Sequence, residues 1–205
     1  MVKFYQSSGN KVVKLCCQSG HAMPFWREWK NFSANILFSL ILNCYLCSMK
    51  VMLIQVGKTV NRHFVELIDE YADRLRHYVN FDVCTIPELK NTKALTTEQQ
   101  KTAEGEQILK QLQGGDHVVL LDEHGKELRS VELSAWMERK MQTVSKRLVF
   151  VIGGPYGFSA EVYAAANEKL SLSRMTFSHQ MVRLLFVEQL YRAMTIMRGE
   201  PYHHE

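Results

Sequence analysis

Two short stretches carry residues whose types and spacing could do chemistry. Gly153-Gly154-Pro155-Tyr156-Gly157 follows the apolar run Arg147–Ile152, and glycines in such a place let backbone N–H and C=O groups come close to a ligand. The spacing is not that of a dinucleotide fingerprint, Pro155 removes one donor, and no Gly-Lys-Ser/Thr follows as it would in a nucleotide-hydrolase phosphate loop. A tight strand-to-helix turn without a ligand reads these five residues equally well. Leu172-Ser173-Arg174-Met175-Thr176-Phe177 joins hydroxyls, a guanidinium and apolar groups in one irregular connection. It could form an apolar slot edged by backbone polar groups, or a solvated loop leading into a helix. No nucleophile, triad or metal cluster stands out. Cys84 lies in an apolar run and reads as inert core, and Cys44-x-x-Cys47 is half a zinc site at best. His179 precedes a long apolar segment and could cap it, while His203-His204 is the one adjacent histidine pair.

The elements that must position these groups alternate. Lys50–Gly57 reads as a strand, Asn61 caps a helix to about Val79, and Phe81–Ile86 is a second strand ended by Pro87. Residues 88–95 are polar and loop-like. Thr96-x-x-Gln99 has capping-box spacing for a helix to about Gln113, stopped by Gly114-Gly115. His117–Asp122 and Arg147–Ile152 are near-continuous apolar runs, as in strands buried on both faces. Between them, Glu123–Lys126 reads as a turn and Ser130–Val144 as a helix. Ser159 caps a short helix to about Asn167, Lys169–Ser173 is a last strand, and Gln180–Arg198 is a long helix stopped by Gly199 and Pro201. Strand–helix alternation predicts an α/β fold with a mainly parallel sheet and helices on both faces. Ligands then bind beyond the carboxyl ends of the strands. The last helix is apolar on more than one side, which predicts cover by the sheet and by a second subunit.

Composition divides the chain at Met49. The net charge is +4, and it resides entirely in residues 1–48, where Lys3, Lys11, Lys14, Arg27 and Lys30 face one acid, Glu28. Residues 49–205 are neutral, with twenty basic and twenty acidic residues, and hold a single cysteine, so they suit a reducing, cytoplasmic compartment. Residues 34–47 are apolar but too short, with Asn35 and Asn43 inside, for the roughly twenty residues of a spanning helix. Residues 1–48 are therefore expected to be an extension upstream of the working start, with no membrane anchor and no metal site, and 49–205 one domain.

Three segments together, VVLLDEHGKELRSVELSAWM, LVFVIGGPYGF and LSLSRMTFSHQMVRLLFVEQLYRAMTIMRGEPYHHE, resemble the RlmH-type ribosomal RNA large-subunit methyltransferases of the SPOUT class. The resemblance runs from Met49 to Glu205 and includes none of residues 1–48. It implies a homodimeric, S-adenosylmethionine-dependent enzyme with a C-terminal trefoil knot. It further implies methylation of N3 of a pseudouridine in the helix 69 loop of 23S rRNA, within the assembled ribosome. The implied cofactor positions are Leu121, Gly153, Leu172, Ser173, Arg174, Met175, Thr176 and Phe177. The methyl of a sulfonium is already activated, so positioning does most of the work and no catalytic cluster is needed. His203 is the candidate acceptor for the N3 proton, and binding an RNA phosphate is its alternative role. Arg183, Tyr202 and His204 are candidate RNA contacts, and the tail carrying the last two is expected to cover the mouth of the cofactor site, its own or a partner's. His204 stands where many members have Arg. Arg192 would suit phosphate too, or would pair with Glu188 four residues before it. A non-catalytic ribosome- or RNA-binding dimer of the same fold is the competing function. The neutral charge of 49–205 weighs against free RNA binding, whose affinity comes largely from phosphate contacts.

Overall fold

A computed structural model describes residues 5–7, 10–12, 49–89 and 95–203. The apolar run 34–47, Cys44-x-x-Cys47 and His204 lie outside them, as does most of the polar loop 88–95. The chain divides into two compact units, Met1–Cys44 and Tyr45–Glu205. In the first, β1 (Tyr5–Ser7) and β2 (Asn10–Val12) form an antiparallel pair.

In the second unit, β3 (Lys50–Val56), β4 (Asn80–Ile86), β5 (His117–Glu127), β6 (Arg147–Ile152) and β7 (Glu168–Ser171) make a sheet of order β4-β3-β6-β5-β7. Every pairing in it is parallel. The helices are α1 (Arg62–Arg76), α2 (Thr97–Gln111), α3 (Ser130–Thr143), α4 (Ala160–Ala165) and α5 (His179–Met197). One sheet face, with Val51, Leu53, Val119, Leu148 and Phe150, packs on α1, α3 and α5. The other, with Ile54, Val56, Val118, Leu120, Val149 and Val151, packs on α2 and α4. This is the expected two-faced α/β layering, and burial on both faces explains the continuous apolar runs.

Phe150 is fully buried, with ring centroids 4.7 Å from Phe186 and 6.0 Å from Trp136. Emptying such a site costs about 3–5 kcal/mol. Asn61 Oδ1 accepts from His63 N at 2.9 Å and starts α1. That helix ends at Arg76, short of Val79, as the N–H groups of His77 and Tyr78 shift to the i−3 carbonyls of Arg74 and Leu75, at 3.2 and 2.9 Å. The capping box of α2 forms as expected, Gln99 N donating to Thr96 Oγ1 at 3.2 Å and Thr96 N to Gln99 Oε1 at 2.9 Å.

One expectation needs correction. Glu123–Lys126 is not a turn between elements but part of β5, which bulges between Leu121 and Lys126 and then pairs Lys126 with Leu170 and Glu127 with Ser171. Gly125 permits this, since a Cβ there would stand 2.4 Å from the Leu170 carbonyl carbon. The last helix is covered within this unit on more than one side. It packs on α1 and α3 as well as on the sheet, and its buried residues include Phe186, Val187, Leu190, Ala193 and Met194. No helix among the described residues is long and apolar enough to cross a membrane.

Candidate functional site

Parallel register decides what meets at the carboxyl edge of the sheet. Leu121 pairs with Ile152 on one side and with Leu170 on the other. Gly153 follows Ile152 directly and Leu172 lies two residues past Leu170, so register brings Leu121, Gly153 and the start of the run 172–177 near one another at this edge. Open parallel sheets bind their ligands at this edge.

The Gly-rich turn closes with Gly157 N donating to Gly154 O at 3.1 Å. Lack of space dictates its first two glycines. A Cβ on Gly153 would stand 3.0 Å from the buried Phe158 ring, and one on Gly154 would stand 2.1 Å from Glu104 Oε2. The run 172–177 is bent by two bonds: Ser171 Oγ donates to Ser173 O at 3.1 Å, and Met175 N donates to Ser173 Oγ at 2.9 Å. Leu172, Ser173 and Phe177 are half-buried, whereas Arg174, Thr176 and Met175 are exposed, the last at 70%. Arg174 Nε reaches Glu127 on the continued β5 at 3.0 Å. Leu172 and Phe177 thus keep apolar cover at the two ends of the run while its middle is exposed.

Helix α5 begins where this run ends. Its cap is Ser178, whose Oγ accepts from Met181 N at 3.4 Å, and not His179 as the sequence suggested. The His179 imidazole titrates below its ordinary range, chiefly through burial and then through the Arg183 charge, against an opposing pull from Glu104.

Arg183 departs from expectation as well. It is 2% exposed, donates to Val56 O at 2.6 Å and to Thr59 Oγ1 at 2.8 Å, and so ties α5 to the segment after β3. In this place its guanidinium holds the fold and does not face an RNA phosphate. Arg192 pairs with Glu188, Nη2 to Oε1 at 2.6 Å, as the i,i+4 spacing allowed.

The tail folds back along α5. The Tyr202 hydroxyl lies 3.3 Å from that of Tyr71 and 3.2 Å from Glu188 Oε1, its ring centroid is 5.0 Å from that of Tyr191, and the Arg192 guanidinium stacks on it at 4.7 Å. Burial, then the Tyr71 bond and the Glu188 charge, push the Tyr202 phenol well above its ordinary range. His203, beside it, is half-buried. Glu188 is nine residues into α5 from His179, roughly 14 Å along the axis. The tail thus packs on its own α1 and α5 and does not close its own chain's mouth.

Two groups at this edge were not foreseen. Glu104 and Gln55 are 5% and 6% exposed, and Glu104 Oε2 and Gln55 Oε1 have no hydrogen-bond partner among the described residues. The signal for Glu104 was its place four residues before Ile108, on the inward stripe of α2.

The model of a family described as predicted SPOUT methyltransferase matches residues 49–203. A protein of Bacteroides fragilis named ribosomal RNA large subunit methyltransferase H is 66% identical over 157 residues, which is 77% of this chain and all of that protein. Proteins of the same name from Phocaeicola vulgatus and Porphyromonas gingivalis are 65% and 55% identical over the same span. The chain belongs to the RlmH family of SPOUT methyltransferases. SPOUT methyltransferases use S-adenosylmethionine. The carboxyl edge suits such a group through its Gly-rich turn, the half-buried Leu121, Leu172 and Phe177, and a buried open acceptor, Glu104 Oε2.

Proposed function

We propose that this protein transfers the methyl group of S-adenosylmethionine to N3 of a pseudouridine in the helix 69 loop of 23S rRNA, in the assembled ribosome. The observation that carries this reading is 66% identity over the whole length of a curated ribosomal RNA large subunit methyltransferase H. The convergence of Leu121, Gly153 and 172–177 at one sheet edge supports it. The working unit is residues 49–205, as a homodimer whose C-terminal part threads a trefoil knot. S-adenosylmethionine supplies a methyl group on a sulfonium, a leaving group that needs no further activation. Gly153 and the backbone of 172–177 hold the adenosyl part, and Leu121, Leu172 and Phe177 exclude water from it. The acceptor N3 must lose its proton. His203 takes it, from the tail of the second protomer, with Tyr202 and His204 contacting the RNA beside it. The neutral charge of residues 49–205 suits an enzyme that docks on a whole ribosome and not on free RNA.

Ribosomes lacking the modification, incubated with the protein and isotopically labelled S-adenosylmethionine, test the proposal through mass spectrometry of the helix 69 fragment. One labelled methyl on a pseudouridine is expected. A labelled methyl elsewhere in the rRNA would replace the substrate assignment, and no label at all would favour a non-catalytic ribosome-binding dimer.

A further inference from the structure

Glu104 is an acid in an unusual place. It lies on the inward side of α2, 5% exposed, and Oε1 accepts from Gln100 Nε2 at 2.9 Å while Oε2 has no partner among the described residues. Burying an open carboxylate oxygen is costly. Nothing in the packing of α2 demands an acid there, since the neighbouring Ile108 fills the same stripe with an apolar group.

Its surroundings explain the choice better. Oε2 faces Gly154, so closely that a Cβ on that glycine would stand 2.1 Å away. The carboxylate charge is also felt by His179, two residues past Phe177. Glu104 therefore sits where the Gly-rich turn and the exit of the 172–177 run come together.

We propose that Glu104 is a ligand of the cofactor. Its open oxygen accepts a hydrogen bond from an N–H or O–H donor common to S-adenosylmethionine and its product S-adenosylhomocysteine. The assignment rests on the reading of the carboxyl edge as the cofactor site. The terminal carboxylate torsion is soft, so a small rotation turns Oε2 from Gly154 toward an arriving donor. Gln100 occupies the other oxygen, which leaves room for one donor. An amino group or a sugar hydroxyl satisfies it. The sulfonium does not, because it has no hydrogen to donate. Gly154 is then required twice, to leave space for the carboxylate and to bring the backbone near the ligand.

Calorimetric titration of the full chain with both ligands tests this, using wild type, Glu104→Gln and Glu104→Leu. Wild type binds both if the edge is the cofactor site, and binding of neither would overturn that underlying reading. Given wild-type binding, Glu104→Gln should weaken both ligands by about tenfold, because a charged acceptor makes the stronger bond. Glu104→Leu should weaken them further. Melting of the ligand-free variants should be unchanged or raised for Gln, since an unpaired buried charge has been removed. Affinities of Glu104→Gln within about twofold of wild type would overturn the proposal. So would a loss confined to S-adenosylmethionine, which would mark a response to the sulfonium charge. A ligand-free melting temperature that falls in step with the affinity would make Glu104 a structural residue.

Discussion

The two edges of the parallel sheet differ in whether their buried polar groups are all met. At the amino edge the charged groups are paired. Arg147 Nε meets Asp116 Oδ1 at 2.7 Å, with the two side chains 14% and 3% exposed, and Lys50 meets Asp82 at 3.0 Å. Glu168 gathers His117 and Trp136, each at 2.9 Å, together with Lys140. At the carboxyl edge, Gln55 Oε1, Glu104 Oε2 and Arg183 Nε are buried with no hydrogen-bond partner among the described residues. An unmet buried polar atom costs stability. The amino edge stabilises the fold through paired charges; the carboxyl edge does so in part, through Arg183 and its bonds to Val56 O and Thr59, and its remaining open groups suit the ligand proposed for it.

If so, substitutions should separate the edges by what they change. The largest effect is expected from Gly153→Val. Its side chain presses on the buried Phe158 ring and displaces the Gly-rich turn, so S-adenosylhomocysteine affinity measured by calorimetry should fall more than a hundredfold. A cooperative melt should remain. Normal affinity in that variant would remove the turn from the site.

His203→Ala lies in the tail, away from both edges of its own chain. It should lower the single-turnover rate at saturating ribosome by about a hundredfold if the imidazole takes the N3 proton. The loss should follow the ionisation of one group across pH. A loss seen only in ribosome affinity, and sensitive to salt, would make it a phosphate contact instead. A rate equal to wild type at every pH would end its part in the chemistry.

Arg147→Ala should do the reverse of Gly153→Val. It strands the Asp116 carboxylate and should cost about 3–5 kcal/mol in chemical denaturation, with cofactor affinity unchanged in the folded fraction. Burial works to raise the Asp116 pKa, but the bonds and charge of Arg147, the Gln113 N–H and the Lys146 charge together hold the group below its ordinary value. Glu168 is likewise lowered, Lys140, Trp136 and His117 together outweighing burial. A depressed carboxylate adds stability that is present above its unfolded pKa, about 4, and is lost as pH falls through the folded value. Wild-type melting should therefore be nearly flat from pH 7 to about 5 and fall below about 4. The gap between wild type and Arg147→Ala should narrow there, and a gap of constant size down to pH 3 would assign the stability to other groups.

The smallest effect is expected from removing residues 1–48. These hold the whole net charge and lie outside the family match. A chain beginning at Met49 should melt within a few degrees of the full chain, and ribosome methylation should be unchanged. A large fall in melting temperature would show that the extension stabilises the domain.

How much of this was legible in the residues depended on the scale of the interaction. Lys50–Val56, the Asn61 cap, the Thr96–Gln99 box and the apolar strands were readable because local hydrogen bonds and burial on both faces decide them. The β5 bulge was not, since Glu123–Lys126 looks like a turn unless one knows that Leu170 and Ser171 lie alongside. Arg183 was misread as a surface cation because its partners, Val56 O and Thr59, are more than a hundred residues away. The Gly-rich turn was visible as a motif, but its meaning needed Glu104, which sequence spacing places only on a helix face. The position of the tail followed from the Tyr71–Tyr202–Glu188 cluster, a long-range contact with no local signature.

Backbone amide NMR of the full chain titrated with S-adenosylhomocysteine tests most directly which edge is the cofactor site. The account predicts the largest shifts at Leu121, Gly153 and Leu172–Phe177, with Glu104 and His179 following, and little change at Asp116, Lys140, Arg147 and Glu168. Shifts concentrated at the amino edge, or spread evenly over both, would contradict it.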